Sequence, residues 1–267
     1  LIVATGGKSL LVALDKASGE SVWETPNPDK QMMSHSSIAV CEIGGVRQYT
    51  YCTLSGLSGV SAESGELLWT FPWKFNTAVA PSPLFLGDGR FLLTSGYHAQ
   101  TVVCQATVKD GAWSAAEITA FEPPPRGWNS EVHTPIFYRD HIYGIGKVRR
   151  GMWTCLDLEG NELWTSGREA TFGMGGYVLA DGLFFALDGK TGALRLIDAT
   201  ADEYRQLAEA LLLAGPDVWA PPVISGGKLL IRDLGKLLCL DVSAGNAPSP
   251  TDSTQTLTQS VDSLGGG

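Results

Sequence analysis

The chain has 267 residues, 44% of them hydrophobic, a net charge of -9 and a pI near 4.9. That length suits one large domain, and that charge argues against a phosphate backbone as partner, because nucleic-acid binding needs a positive stripe to displace counterions. No apolar stretch approaches the roughly 18 residues that span a bilayer, so no transmembrane segment is expected.

Along the chain the strand signals come in groups that share one motif. Leu1 to Ala4 reads as a strand, and Leu11 to Leu14 as the next. Then Asp15-Lys16-Ala17-Ser18-Gly19 turns the chain into a short strand carrying Trp23. The second group has Ser36 to Val40, a glycine turn at Gly44-Gly45, Gln48 to Leu54, Gly59 to Ala62 and Leu67 to Phe71. Its turn Ser64-Gly65 again lies just before Trp69. The third runs from Pro81 through Gly87-Asp88-Gly89, Phe91 to Leu93 and Thr101 to Val108. It turns at Lys109-Asp110-Gly111 into Trp113, a shorter spacing.

The fourth group opens at His133-Thr134-Pro135, turns at Arg139-Asp140 and closes through Leu156-Asp157-Leu158-Glu159-Gly160 into Trp164. The fifth starts near Gly175-Gly176-Tyr177 and turns at Asp181-Gly182. There Tyr204, Leu207, Ala208 and Leu211 have helical spacing after Thr200 as N-cap, which predicts one or two helical turns between Ala201 and Leu213. The sixth runs from Trp219-Ala220-Pro221-Pro222 through Gly226-Gly227 to Asp241, with no outer strand after it. From Ala244 to Gly267 almost no large apolar residue remains, so a disordered tail is expected.

In three of these copies Gly stands four residues before Trp. About four strand signals recurring at roughly 45 residues are the mark of a β-propeller, an all-β ring of four-stranded antiparallel blades. The first group lacks an innermost strand and the last an outermost one, so the two ends do not complete each other, and the chain opens on Leu1 rather than Met. The expectation is about five and a half blades of an incomplete ring: residues 1-243 as the C-terminal part of a larger propeller, then the tail 244-267. The recurring Trp and Asp residues read as rivets, each indole N-H seeking a carbonyl and each Asp binding turn N-H groups.

Cys41, Cys52, Cys104, Cys155 and Cys239 are far apart in sequence, mostly in apolar strand contexts, and read as small buried hydrophobes. With a turn at Gly44-Gly45, Cys41 faces Gln48 and Cys52 faces Ser37, so a disulfide between these cysteines needs a register shift. Gly6-Gly7-Lys8-Ser9 and Gly189-Lys190-Thr191 lack the leading Gly of a phosphate loop and read as turns. The basic run Lys147, Arg149 and Arg150 reads as a solvated loop.

The strings Leu11-Val12-Ala13-Leu14-Asp15 with Gly19 and Trp23, Gly59-Val60-Ser61 with Gly65 and Trp69, and Trp219-Ala220-Pro221-Pro222-Val223 with Leu240-Asp241 resemble PQQ-like propeller repeats, a WD40-like blade architecture. The resemblance implies a bacterial cell-envelope protein, periplasmic or extracellular, with two branches. One is a cofactor-free scaffold similar to the propeller lipoprotein of outer-membrane barrel assembly. The other is a PQQ-dependent alcohol or sugar dehydrogenase, which implies PQQ, a calcium ion held by carboxylate and amide groups, an Asp base and two adjacent cysteines. This sequence has no adjacent cysteine pair.

Residues that break the repeat are the candidates for function. His35, His133 and Trp219 open innermost strands near the rim of the axial channel, where propeller ligands bind. Between the third and fourth groups, Arg126, Trp128, Asn129 and Glu131 follow Pro123-Pro124-Pro125 without repeat counterparts, as a functional loop or a structural lid. No nucleophile, base and orienter constellation stands out. The expectation is a monomer that binds a protein or small molecule at the rim, with no catalytic residue assigned and no cofactor firmly implied; PQQ with calcium enters only through the resemblance.

Overall fold

In a computed structural model that describes residues 1-73, 77-215 and 217-243, every regular element is a β-strand. The expected tail 244-267 lies outside the described residues. Six antiparallel sheets follow one another along the chain, each a meander of consecutive strands. The first holds β1 (Ile2–Ala4), β2 (Ser9–Leu14) and β3 (Ser21–Pro26). The second holds β4 (Ala39–Ile43), β5 (Val46–Cys52), β6 (Gly56–Ser61) and β7 (Leu67–Pro72). The third holds β8 (Leu84–Gly87), β9 (Arg90–Leu93), β10 (Val102–Lys109) and β11 (Ala112–Ala120). The fourth holds β12 (Ile136–Tyr138), β13 (His141–Gly146), β14 (Met152–Leu156) and β15 (Glu162–Thr165). The fifth holds β16 (Tyr177–Ala180), β17 (Leu183–Leu187), β18 (Ala193–Asp198) and β19 (Gln206–Leu211), and the sixth β20 (Val223–Ser225), β21 (Lys228–Arg232) and β22 (Leu237–Asp241).

The first hairpin of each blade from the second to the sixth has a two-residue loop whose central residues both have positive φ: Gly44-Gly45, Asp88-Gly89, Arg139-Asp140, Asp181-Gly182 and Gly226-Gly227. Such loops match the right-handed twist of the strands they join, which sets the register. Ile43 therefore pairs with Val46 and Tyr138 with His141. Later turns are held by side chains. Asp15 accepts hydrogen bonds from the Ala17 and Ser18 amides at 2.9 and 2.8 Å, and Asp157 from those of Glu159 and Asn161 at 3.0 and 2.8 Å.

Five buried clusters each join two consecutive blades, from Leu11, Tyr51 and Val60 between the first and second to Leu187, Leu229 and Ile231 between the fifth and sixth. Among the described residues no sheet and no buried cluster links the sixth blade to the first, so the ring is open there. The rivets cross the seams. The Trp23 ring of the first blade covers Gly65 of the second, and Phe121 covers Gly160 of the fourth. Trp69 instead covers Gly59 of its own blade, and its indole N-H donates to Gln48 Oε1 at 2.8 Å, a side-chain amide rather than a backbone carbonyl.

Several expectations change. The stretch from Ala201 to Leu213 forms no helix: it ends in β19, the fourth strand of its blade, paired with β18 so that Arg195 lies opposite Glu209. Ladder bonds along a whole strand outweigh the modest helix propensity of Gln206-Leu207-Ala208-Glu209-Ala210. The innermost strand of the second blade begins at Ala39 rather than Ser36, which leaves Ser37 outside the sheet and pairs Cys52 with Leu57. Cys41 does face Gln48, and both cysteines are free thiols. Burial pushes the Cys52 and Cys104 thiols up to about 12, which suits inert packing residues. Cys239, by contrast, is exposed on the sixth blade.

Candidate functional site

In each blade the innermost strand begins at the end where its second strand turns into its third, because neighbouring strands are antiparallel. Connections into β12, β16 and β20 therefore meet the β13-β14 and β17-β18 loops. Between them lies a cavity of about 440 Å³. Glu131 and His133 approach it from before β12, Lys147 and Arg150 from the β13-β14 loop, and Lys190 from the β17-β18 loop. Asp217 and Trp219 come from before β20. Its floor is glycine backbone. At Gly151, with φ +81°, an added Cβ would stand 2.9 Å from the Gly173 amide nitrogen, so only glycine lets the two loops close on each other.

His133 is half-buried, and its Nε2 lies 2.8 Å from the Met174 carbonyl. A carbonyl only accepts, so Nε2 carries the hydrogen. Burial lowers the pKa of the ring below the ordinary histidine value, against the smaller raising effect of the Met174 bond. The imidazole is thus neutral near pH 7, and it meets Tyr177 edge-on at 5.5 Å. Ser130 fixes the approach: its hydroxyl donates to the His133 carbonyl at 2.6 Å and its amide donates to Thr94 Oγ1 at 3.0 Å.

Lys147 Nζ donates to Glu131 at 2.5 Å, so these two charges largely cancel. Arg150 and Lys190 are exposed and form no ion pair among the described residues. Asp217, with φ +61°, likewise forms no ion pair among the described residues, and Trp219 is 45% exposed on the same wall. The cavity therefore presents exposed cations, a carboxylate in no ion pair among the described residues, a neutral imidazole and an indole face.

Of the seven residues singled out from sequence, the fold brings Glu131, His133 and Trp219 together at this cavity. Trp128, 2% exposed, and Asn129 are buried, the indole packed among Leu92, Ile142 and Leu156 and the amide donating to the Ser95 carbonyl at 2.8 Å. Arg126 is exposed beside Glu122 at 3.7 Å, and His35 is exposed at the second blade, with its amide bonded to the Val79 carbonyl at 2.9 Å. Neither reaches this cavity. Lys147, Arg150, Lys190 and Asp217 were missed as site residues. Aligning the second-to-third-strand turns across blades puts the first three at one end of the molecule, a signal the repeat already contains.

The cofactor implied by the dehydrogenase branch does not fit these residues. Among the described residues no three His, Cys, Asp or Glu side chains converge to hold a metal ion. The better-placed cavity carboxylate, Glu131, is already engaged by Lys147.

A family model described as outer membrane protein assembly factor BamB matches residues 1–166. BamB from Moraxella catarrhalis is similar in structure, with a TM-score of 0.58 and 16% identity over 90% of this chain and 70% of that one. The WD40 domain of SCAP from fission yeast gives 0.51 and 12%, covering 83% and 56%. A protein of unknown function from Bacteroides caccae gives 0.51 and 12%, covering 90% and 89%. No curated protein sequence matches the chain. At these identities the structural likenesses establish the propeller fold.

Proposed function

Because the chain belongs to the family of the outer membrane protein assembly factor BamB, we propose that it is a non-catalytic binding scaffold of the bacterial cell envelope, periplasmic or extracellular. In this reading residues 1-243 act as one monomeric unit whose working surface is the rim cavity of the fourth to sixth blades. The observation that carries it is the gathering of Glu131, His133 and Trp219, which break the repeat, with the turn residues Arg150 and Lys190 at one 440 Å³ cavity. Repeated positions hold the blades together, and the unrepeated rim is free to select a partner.

The test places a photo-crosslinking amino acid at position 219 and, as control, at Leu163, which is exposed on the outer strand β15. Cells are then fractionated. A crosslink specific to position 219, in the envelope fraction, supports the reading; equal labelling at both positions or a cytosolic product overturns it. Turnover of alcohols or aldoses by the protein supplied with PQQ and calcium, lost in Glu131→Gln, would overturn the non-catalytic part.

A further inference from the structure

We infer that the rim cavity is the middle of a groove for an extended acidic peptide segment of the partner protein, an inference that builds on the rim-binding reading above. Two further cavities adjoin it. One of about 290 Å³ shares Asp217 and Trp219 with it and adds Arg232 and Leu234; another of about 340 Å³ shares Arg150 and adds Arg149 and Arg168. These shared residues set the three side by side, as a track over the ends of the sixth, fifth and fourth blades.

Cations outnumber acids along that track. Arg232, Lys190, Arg150 and Arg168 are all exposed, and none is in an ion pair among the described residues. The acids nearby are mostly occupied. Glu131 is paired with Lys147 and Glu162 with Arg149, while Asp233 accepts bonds from the Gly235 and Lys236 amides. Asp217, Asp233 and Glu169, which follows Arg168 in sequence, are in no ion pair among the described residues, against four such cations. A row of four free cations on a chain of net charge -9 is a local exception. Screening confines the general repulsion to roughly 8 to 10 Å, so a ligand in the track feels chiefly the cations.

The division of the cations among three adjoining cavities selects the ligand. A single carboxylate or phosphate occupies one cavity and leaves the cations of the other two idle, whereas an extended chain sets alternate side chains to the same side and reaches all three. Trp219, on the wall shared by two cavities, offers a flat face for an apolar or aromatic side chain between the acidic ones. A nucleic acid also carries regular negative charge, but the overall charge of the chain disfavours it.

The test measures fluorescence anisotropy with three labelled probes: a terminally blocked peptide of alternating Glu and Phe, its Gln and Phe counterpart, and an oligothymidylate of similar length. The Glu peptide is expected to bind about tenfold or more tighter than the Gln peptide near 50 mM salt, with the gap narrowing near 300 mM. Arg150→Gln with Lys190→Gln and Arg168→Gln is expected to bring the Glu peptide down to the Gln level with an unchanged melting temperature, since all three side chains are exposed. Equal binding of the two peptides, no binding of the Glu peptide, an unchanged affinity in the triple variant, or tighter binding of the oligothymidylate overturns the inference. A position-219 crosslink that survives such a result leaves the rim-binding reading standing; losing both removes both.

Discussion

Gly19 and Gly65 occupy the same place in successive copies of the motif, and their different surroundings turn the rivet into a measurable energy. Both have φ +76°, and both amides bond back to the residue four earlier, to Asp15 at 2.9 Å and Ser61 at 3.0 Å. Nothing stands within 4 Å of an added Cβ at Gly19, whereas at Gly65 it would lie 2.6 Å from Trp23 Cε3 and 2.7 Å from Cδ2. The left-handed backbone alone costs about 1 to 2 kcal/mol for alanine, less about 0.4 to 1 kcal/mol from the stiffer unfolded chain. Gly19→Ala should therefore destabilise by about 1 kcal/mol. Ordinary contact is about 3.5 to 4.0 Å, so Gly65→Ala must push the indole by about 1 Å, an overpacking cost of about 1 to 3 kcal/mol more. The Thr25 hydroxyl, bonded to the Gly65 carbonyl at 2.7 Å, holds the strand and turn together and limits relief. Urea unfolding followed by far-UV circular dichroism should give Gly65→Ala a total of about 2 to 4 kcal/mol. In a Trp23→Ala background it should fall back to the Gly19 value, as a double-mutant cycle for touching groups requires. Equal costs at the two glycines, within about 0.5 kcal/mol, would refute the interblade rivet.

Three other outcomes follow from named contacts. Burial holds His133 below the ordinary histidine value of 6.5, so the unfolded chain binds its proton more readily and stability falls as pH drops through that value toward the lowered one. His133→Asn should flatten the decline in urea midpoint between about pH 7 and pH 5, while Asp233, held below 3.8 chiefly by the Gly235 amide, acts at lower pH; an unchanged acid limb contradicts this. Trp69→Phe strips Gln48 Oε1 of its donor, and Gln48 Nε2 has no partner among the described residues, so a loss of about 1 to 3 kcal/mol is expected, partly recovered by Gln48→Met in the same chain. Arg195 donates to Glu209 at 2.7 Å and to the Thr171 carbonyl at 2.8 Å, and it stacks on Phe172 at 4.8 Å; Arg195→Met should cost about 2 kcal/mol or more in urea unfolding, and a neutral result would mean these contacts hold nothing together.

The blade framework was legible because its determinants are local. A two-residue turn with both φ values positive admits few residue types, so Gly44-Gly45 and Asp181-Gly182 announce hairpins wherever they occur. The same locality misleads at Ala201 to Leu213, where helical spacing is real but β18 supplies a ladder that the segment joins instead. The site was legible in part for a related reason. Glu131, His133 and Trp219 break the repeat visibly, whereas Lys147, Arg150 and Lys190 sit in turns that look like solvated loops until the radial arrangement brings three blades to one cavity. Trp128 and Asn129 err the other way: they break the repeat in order to fill the seam between the third and fourth blades.

The cavity stands at seams rather than within a blade, and the packing explains why. Within a sheet, register is fixed by ladder bonds and turn chemistry, which leaves little freedom for a side chain to serve a ligand. Between sheets the fixed points are the buried clusters, the ring-on-glycine contacts and a set of cross-seam hydrogen bonds. At the inner ends, polar bonds also cross the seams, such as the Ser82 amide to Thr134 Oγ1 at 2.8 Å and the Tyr177 hydroxyl to the Thr134 carbonyl at 3.0 Å. Those bonds hold the rim in place while leaving the adjoining side chains, Arg150, Lys190 and Trp219, unengaged. A stiff seam with an uncommitted rim lets neighbouring blades with unrelated loops form one recognition surface.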